Sequence, residues 1–397
     1  MTDDVRGALA AAKAAARAVG LLPDAARRGL LRRIAADLRR GEAALLAANA
    51  EDLAALPADY PFRDRLLLTP ERVEAMAAGA EAVADLPDNL WQTLEERDRP
   101  SGIHLRRVRV PLGVVACVYE ARPNVTVDVA CLCLRTGNAA ALKGGKEAAR
   151  SNAALAATLA DALRAEGLPE AAVTLLPPTH EAADALMAAE GLVDVLIPRG
   201  SARLIRAVRE QARVPVIETG AGVCHVYVHA DADPALAARV IDNAKTRRVS
   251  VCNALDCLLV HRAWADRLDD LLAPCRAKGV TLHTAPEDWG REWLSMNLSV
   301  RVVEGLDEAL AHIARFGSGH SEAIVTRSPE AAERFRREVD AACVYVNTPT
   351  SFTDGGEFGL GAEVGISTQK LHARGPMGLD ALTSYKWLID SQGATRP

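Results

Sequence analysis

The sequence predicts an α/β fold built from two domains, each with an open, twisted sheet of parallel strands. From about residue 110 onward, short β-rich runs alternate with Ala-rich helical stretches. This alternation is typical of βαβ units, in which helices cover both faces of a parallel sheet. The 397 residues are enough for two or three domains with a large core. The composition, 49% hydrophobic and 25% charged, is that of a soluble globular protein.

The elements can be assigned in chain order. Residues 1 to about 90 predict helices, because apolar residues recur there at helical spacing: Leu30, Leu31, Ile34 and Leu38. Thr69 followed by Pro70 has the form of an N-cap and a first helical residue. The first set of predicted strands is 113–119, 139–143, 172–176, 193–197, 214–217 and 225–229. The second set is 257–261, 323–326 and 343–347, and we place the join between the domains near residues 218–222.

Two further predicted strands lie outside this pattern. Residues 103–110 alternate His and Arg with Leu and Val, and residues 382–389 form a strand-like tail after the last domain has closed. Strands at the margins of a fold commonly pair with another subunit. We therefore expect at least a dimer.

Charge and cysteine content exclude several classes of protein. A net charge of −5 argues against a nucleic-acid groove, and no apolar run reaches membrane-spanning length. The acidic start, Met1-Thr2-Asp3-Asp4, leads into an Ala-rich helix and does not resemble a secretory signal. The eight cysteines have no framework spacing, so we expect them to stay reduced in the cytoplasm.

Cys252 is the candidate nucleophile. Arg247 and Arg248 lie just upstream, and residues 253–256 could form a first helical turn. Nearby cations and a helix N-terminus both lower the pKa of a thiol and so favour the reactive thiolate. The alternative is that Cys252 is an ordinary core residue beside a buried strand.

Two segments could hold phosphates, although the sequence has no G-x-G-x-x-G or P-loop fingerprint. Lys143-Gly144-Gly145-Lys146 and Arg199-Gly200-Ser201 each end a predicted strand and open a helix. Glycine lets backbone approach an anion, and a helix N-terminus attracts it. Glycine after a strand is more often a simple turn, but both segments follow parallel strands, at the edge where open α/β sheets bind ligands.

Two glycine-rich segments complete the candidates. Residues 353–361 carry two carboxylates and two apolar side chains, Glu357 and Phe358 among them, which suits a loop that folds over a ligand. Residues 317–321 offer hydroxyls, backbone amides and the imidazole of His320 just before a strand. The alternatives are a flexible surface loop and a simple hydrogen-bonded histidine. No group of histidines and cysteines has zinc spacing, so we expect no metal.

Together these segments resemble the γ-glutamyl phosphate reductases, also called glutamate-5-semialdehyde dehydrogenases, a branch of the aldehyde dehydrogenase superfamily. The resemblance covers nearly the whole chain. The matching stretches are 110–115, 119–125, 135–139, 251–254, 318–326 and, above all, the unbroken run 352–378.

The resemblance implies a domain plan. Residues 1–99 and 111–217 would form a Rossmann-like cofactor-binding domain, and residues 218–362 a catalytic domain. Residues 100–110 and 380–397 would form a small β oligomerisation element of a homodimer or homotetramer, with 363–379 returning between the domains.

The resemblance also implies NADPH-dependent reduction of L-glutamyl 5-phosphate to L-glutamate 5-semialdehyde and phosphate, the second step of proline synthesis from glutamate. The Cys252 thiolate would expel phosphate and leave a thioester, which hydride reduces to a thiohemiacetal that releases the aldehyde. By match to the superfamily, Asn124 and the backbone amide of Cys252 would stabilise the oxyanion. Contact with glutamate 5-kinase, which makes the labile substrate, stays open.

The remaining roles come from the same resemblance. Lys143 would contact the adenosine ribose, with Gly144 beside it, and Lys146 would favour a 2′-phosphate and hence NADP. The other expected cofactor contacts are Arg199, Gly200 and Ser201 near the pyrophosphate, Glu357 and Phe358 near the nicotinamide ribose, and Glu218. In a reductase, Glu218 should position groups rather than activate water. The candidates for binding substrate are Arg122, His320, Glu363 and Lys370.

The chain departs from the family pattern at three places. Val249-Ser250 replaces Pro-Gly before the nucleophile, Val223 replaces Asn, and Ser351 stands where arginine is common. Losing Pro-Gly removes a rigid turn, and losing an arginine weakens anion binding by roughly 1.5–3 kcal/mol.

These departures leave three alternatives: a reductase of a neighbouring acyl phosphate such as N-acetylglutamyl phosphate, a general aldehyde oxidiser, and a catalytically silent nucleotide-binding protein.

Overall fold

The computed structural model describes residues 3–60 and 62–396. Met1, Thr2, Pro61 and Pro397 lie outside the described residues, and with them the outermost ends of the predicted ranges 1–99 and 380–397. The chain divides into two compact units, which are described separately. The first comprises residues 3–218, Gly359–Gly365 and 377–396. The second comprises Thr219–Phe358 and Ile366–Pro376.

The helices are α1 Asp3–Gly20, α2 Asp24–Arg40, α3 Glu42–Ala54, α4 Arg63–Leu66, α5 Pro70–Asp85, α6 Asn124–Arg135, α7 Ala149–Ala165, α8 His180–Met187, α9 Ala202–Gln211, α10 Pro234–Thr246, α11 Leu268–Ala277, α12 Leu306–Phe316 and α13 Pro329–Glu338. Short 3-10 turns lie at Lys146–Ala148, Glu170–Ala172, Arg262–Arg267, Pro286–Asp288, Thr350–Phe352 and Leu379–Leu382. The strands are β1 Thr93–Asp98, β2 Ile103–Pro111, β3 Val114–Tyr119, β4 Ala139–Lys143, β5 Val173–Leu175, β6 Val195–Arg199, β7 Cys224–Val228, β8 Leu255–His261, β9 Thr281–His283, β10 Asn297–Val303, β11 Ser321–Val325, β12 Cys343–Val346, β13 Ile366–Ser367, β14 Gly375–Pro376 and β15 Thr383–Ser391.

The first unit is organised around a four-stranded parallel sheet in the order β5-β4-β3-β6. Every residue of β3 and β4 is buried, which explains their continuous apolar sequences. Val5 and Leu9 of α1 pack with Val114 and Ala116 of β3 in one core cluster. Because β3 pairs with β4 on one side and with β6 on the other, the strand order reverses between β3 and β6. Ligands of open α/β sheets bind at the carboxyl ends of strands beside such a reversal.

The same unit contains a three-stranded antiparallel sheet in the order β1-β2-β15. The two marginal strands expected from the sequence pair with each other, Thr383 opposite Pro111 and Ser391 opposite Ile103. Strand β1 on the other side of β2 was not predicted. Tyr385, Trp387 and Ile389 are exposed on β15.

The second unit contains a six-stranded parallel sheet in the order β12-β11-β7-β8-β10-β9. One core cluster joins the sheet to α10 and α11, and another joins it to α12 and α13. Helix α10 begins where the sequence requires, because Pro234 takes the first helical position and the Asp233 carboxylate accepts the Leu236 N–H at 2.9 Å. Thr69 caps α5 in the same way, as predicted.

Several sequence-based expectations were wrong. Residues 214–217 form only an isolated bridge at Val216, because Pro215 has no N–H to donate to a ladder. Residues 253–256 form no helical turn, since β8 begins at Leu255. Strands β9 and β10 were missed, and Ser and Arg interrupt the apolar sequence of β10. The two compact units group some residues differently from the predicted domain plan, which stays a prediction. Residues 359–362 and 100–110 lie in the first unit, and Ile366–Pro376 lies in the second.

Candidate active site

Cys252 lies in a turn that connects the end of α10 to the start of β8. The turn closes with a hydrogen bond of 3.2 Å from the Ala254 N–H to the Val251 carbonyl. Cys252 is partly exposed, whereas the other seven cysteines are buried. Burial raises the pKa of Cys117 to about 12 and that of Cys275 to about 11, which leaves these thiols protonated and unreactive. Exposure therefore singles out Cys252 as the thiol that a substrate could reach.

The backbone of Cys252 packs closely against the entry to β7. The Cys224 thiol donates to the Cys252 carbonyl at 3.2 Å. A Cβ on Gly222 would lie 1.6 Å from that same carbonyl oxygen, so only glycine fits there. Burial raises the pKa of Cys224 well above its ordinary value, which keeps the thiol protonated and able to donate. Sequence reasoning missed Cys224 because it reads as one more residue of an apolar strand.

His320 was one of the candidates for the substrate's charged groups, and its side chain is fully buried. Its Nδ1 lies 2.8 Å from Ser321 Oγ and 3.8 Å from Cys224 Sγ. Burial lowers the pKa of His320 to about 4, so the imidazole is neutral at pH 7. A neutral, enclosed ring cannot supply the charge that phosphate recognition needs.

A buried ion pair lies beside this region. The His225 Nδ1–H donates to Glu322 Oε2 at 2.9 Å, and the His225 backbone N–H donates to the same oxygen at 2.8 Å. Burial disfavours the imidazolium, but Glu322 and Cys257 together outweigh burial and raise the pKa of His225 to about 10. The two side chains fix β7 against β11, the strands that carry Cys224 and Ser321.

His225, Cys257 and His312 bring three possible metal-ligand atoms within 4.8 Å of one another, although their spacing in the sequence gave no sign of it. The Arg301 guanidinium donates to His312 Nδ1 at 2.8 Å. The His312 proton must then sit on Nε2, which faces Cys257 Sγ at 3.6 Å. That atom therefore carries a proton where a metal would need a lone pair. The Nε2 of His225 has no hydrogen-bond partner among the described residues. One of the three atoms is thus already engaged in a hydrogen bond, which disfavours a metal at this position.

The carboxyl edge of the first sheet carries the candidate cofactor residues. Lys143 ends β4 and is buried. Burial lowers the pKa of Lys143, and the nearby carboxylates of Glu147 and Glu120 offset this effect only in part. After β6, Ser201 caps α9 by accepting the Leu204 N–H at 3.3 Å. The Glu120 carboxylate accepts the Ser201 N–H at 2.8 Å, so the start of α9 already receives an anionic group. Such a site also suits the phosphates of a nucleotide.

Side chains pack against Gly144 and Gly200 at this edge. A Cβ on Gly144 would lie 2.2 Å from Asn152 Nδ2, and one on Gly200 would lie 2.5 Å from Glu120 Oε2. A larger residue at either position would therefore require the neighbouring side chain to move. Lys146 is exposed beside them, and Arg199 is half-buried at the end of β6.

The other predicted residues of the first unit lie on different segments of the chain. Asn124, the oxyanion candidate, begins α6, is exposed, and donates its amide to Asp128 Oδ2 at 2.8 Å. Arg122 and Glu363 are half-buried. Glu218 lies 3.9 Å from Arg209, with 28% of its side chain exposed.

In the second unit, Glu357 and Phe358 are exposed in a segment of consecutive turns. Lys370 is exposed and pairs with Asp340, which also binds Arg374 at 2.8 Å. Ser351 bonds Asn243 Oδ1 at 2.8 Å, at the position where arginine is common. A substrate anion would have to compete with Asp340 for Lys370.

Comparison with known proteins agrees with this architecture. Residues 1–283 match the model of the aldehyde dehydrogenase family. The γ-glutamyl phosphate reductase of Symbiobacterium thermophilum is 51% identical over 99% of this chain and 100% of its own length. That of Chlorobium limicola is 47% identical over 100% of both chains. The crystal structure of γ-glutamyl phosphate reductase from Thermotoga maritima superposes with a TM-score of 0.96 at 35% identity, covering 100% of both chains.

The chain therefore belongs to the aldehyde dehydrogenase family and, within it, groups with the γ-glutamyl phosphate reductases. The predicted resemblance and the aldehyde dehydrogenase-like α/β fold are both confirmed. Enzymes of this family use a nicotinamide cofactor. Among the described residues, none of the helices has both the length and the apolar character needed to cross a membrane.

Proposed function

We propose that this chain reduces L-glutamyl 5-phosphate to L-glutamate 5-semialdehyde and phosphate, the second step of proline biosynthesis from glutamate. Full-length relatives of this activity, at 46–51% identity, support the reaction. The observation that carries the mechanism is the position of Cys252. Its thiol is partly exposed, and the Cys224 thiol binds its backbone carbonyl.

The Cys252 sulfur performs the group transfer. As thiolate it attacks the acyl carbon, forms the C–S bond and expels phosphate, which leaves a glutamyl thioester. The nicotinamide cofactor, when bound, supplies the hydride that reduces this acyl group. The thiohemiacetal sulfur then leaves as thiolate and releases the aldehyde. Negative charge develops on the substrate oxygen, and the Cys252 backbone N–H and the Asn124 amide are our candidates to stabilise it.

NADP is the proposed form of the cofactor. Lys143, Gly144, Arg199, Gly200 and Ser201 lie at the carboxyl edge of one sheet, where the start of α9 accepts an anion. Lys146 is exposed there and adds a cation that a 2′-phosphate would favour. Glu357 and Phe358 remain proposed contacts of the nicotinamide ribose.

The proposed roles of the remaining residues follow from the reaction. Glu218 positions groups and does not activate water, because hydrolysis of the thioester would waste the substrate. Arg122, Glu363 and Lys370 stay candidates for the substrate's charged groups. His320 is better assigned to the buried support of the site. We also propose a cytoplasmic homodimer or homotetramer, since β15 exposes large apolar side chains at a sheet edge.

The test is the reverse reaction with glutamate semialdehyde and each oxidised cofactor, with and without inorganic phosphate. The proposal expects reduction of NADP that depends on phosphate. Equal rates without phosphate would instead support an aldehyde oxidiser. The forward reaction with N-acetylglutamyl phosphate tests the neighbouring substrate, and tenfold better turnover of that compound would refute the unacetylated assignment.

A further inference from the structure

The turn that carries Cys252 needs an external restraint. Val249 stands before the nucleophile at the position where the ring of a proline would have limited the backbone. The turn closes with a backbone bond from the Ala254 N–H to the Val251 carbonyl. A nucleophile displaced by about 1 Å can lose 10²-fold in rate, so the position of the sulfur has to be fixed by other contacts.

The restraint comes from a segment almost one hundred residues further along the chain. The Thr350 Oγ–H donates to the Asn253 carbonyl at 2.7 Å, and the partners are separated by 97 positions. The Asn253 side chain donates in return to the Thr353 carbonyl at 2.9 Å and to the Ser351 carbonyl at 3.3 Å. Asn253 is 7% exposed, and both Thr350 and Thr353 are fully buried. Bonds of this kind lose little to competition from water.

The segment that binds the turn is itself fixed to the sheet. Thr353 Oγ1 lies 2.6 Å from Ser321 Oγ at the start of β11, and 2.7 Å from the Tyr345 hydroxyl on β12. Ser321 Oγ continues to His320 Nδ1 at 2.8 Å. Hydroxyl groups thus link β11 and the edge strand β12 to residues 350–353, and these residues bind the turn that carries Cys252.

We propose that Thr350 and Asn253 are positioning residues of the reaction, which hold the Cys252 sulfur in its attacking geometry. Thr350 restrains the backbone immediately after the nucleophile, while the Cys224 thiol restrains the carbonyl of the nucleophile itself. The two bonds constrain successive carbonyls, so the turn cannot rotate about either peptide without breaking one. The inference rests on the proposed reaction of Cys252, but the hydrogen bonds do not depend on the identity of the substrate.

The test compares Thr350→Val with Thr350→Ser. Valine keeps the volume and removes the hydroxyl, whereas serine restores it. The matched control is Thr326→Val, which removes another buried hydroxyl of the same unit, one that bonds Asp231 at 2.7 Å beyond the end of β11. Each variant is assayed for kcat, for the KM of each substrate, for the rate of Cys252 alkylation by iodoacetamide without ligands, and for Tm.

In Thr350→Val we expect kcat to fall roughly 10- to 100-fold, with each KM changing less than threefold. Alkylation of Cys252 should slow at least threefold, and Thr350→Ser should restore both values to within threefold of the wild type. Thr326→Val should lower Tm without changing kcat or the rate of Cys252 alkylation. If Thr350→Val does not fold, Asn253→Ala serves as the second variant. We again expect kcat and the alkylation rate to fall while each KM stays nearly unchanged.

The proposal is overturned if Thr350→Val lowers Tm while kcat and the alkylation rate remain within twofold of the wild type, because the bond would then serve stability alone. A wild type without phosphate-dependent activity would refute the proposed function instead. The alkylation comparison would still decide whether Thr350 positions the sulfur.

Discussion

The two parallel sheets carry their candidate functional groups at opposite edges. In the first unit, Lys143 and Ser201 follow β4 and β6, at the carboxyl ends of the strands. In the second unit, Cys252 precedes β8 and His320 precedes β11, at the amino ends. The same kind of sheet thus offers different chemistry at its two edges.

Helix dipoles explain the difference. Helices of βαβ units begin at the carboxyl edge, so their N–H groups attract anions there, as the Glu120 carboxylate at the start of α9 illustrates. At the amino edge the chain leaves helices at their C-termini, and the Cys252 turn follows the end of α10. That end of a helix does not attract anions, and the turn is held instead by bonds from side chains to its carbonyls. A search for functional groups only at the carboxyl ends of strands would therefore miss the candidate nucleophile of the second sheet.

The largest expected effect is on kcat, and it should differ between substitutions of Cys252 and Cys257, which lie close together in the chain. Cys252→Ala should lower kcat by at least about 10³-fold, because the covalent route is lost. Cys257→Ala, five residues on in buried β8, should keep kcat within a few fold and reduce stability instead. Steady-state rates of both variants with semialdehyde, phosphate and NADP check the contrast. Comparable losses in the two would contradict it.

A second expected effect concerns pH and the buried support at the amino edge. His320 has its pKa lowered to about 4 by burial, against 6.5 when exposed. The unfolded chain therefore binds a proton between pH 6.5 and 4 that the folded protein does not. Stability should fall as pH falls through this window, by about 3 kcal/mol from this group. His312, whose pKa burial lowers to about 3, acts in the same direction.

Urea unfolding at pH 7 and pH 5 measures this effect. His320→Gln should lose less free energy of unfolding between the two pH values than the wild type does. The control is His180→Gln, which changes an exposed histidine and should follow the wild type. Parallel losses in all three proteins would show that His320 is not buried in its neutral form.

The smallest expected effect lies at the carboxyl edge of the first sheet. Lys146→Ala should raise the KM for NADP about tenfold and leave that for NAD nearly unchanged, because one charged contact to the 2′-phosphate is lost. Arg150→Ala is the matched control, since this exposed cation instead pairs with Glu51 at 3.0 Å. Equal changes for both cofactors in Lys146→Ala would remove Lys146 from the 2′-phosphate site.

The sequence predicted the parts that depend on local pattern. Continuous apolar strands such as β3 and β4, and caps such as Thr69, follow from residues that are close in the chain. Strand β10 was missed because its apolar residues are interrupted, and its identity comes from pairing with β8 and β9. Cys252, the predicted nucleophile, is the partly exposed cysteine, although the helix expected beside it is absent.

The support of the site could not be predicted, since it consists of contacts between distant residues. The local sequence of His320 left open a substrate contact and a hydrogen-bonded histidine. Its burial depends on the sheet, because β11 lies between β7 and β12 and encloses the residue before it. The bonds from Thr350 and Cys224 to the nucleophile turn join positions 97 and 28 residues apart. No local pattern marks such pairs, and only the folded sheet brings them together.

The most direct test of the central claim is mass spectrometry of the enzyme quenched with acid after incubation with glutamate semialdehyde and NADP in the absence of phosphate. The account predicts a glutamyl group on the peptide that contains Cys252, and its disappearance when phosphate is added before the quench. Phosphate-dependent turnover by an enzyme whose Cys252 never carries that group, or by Cys252→Ala at the wild-type rate, would contradict it.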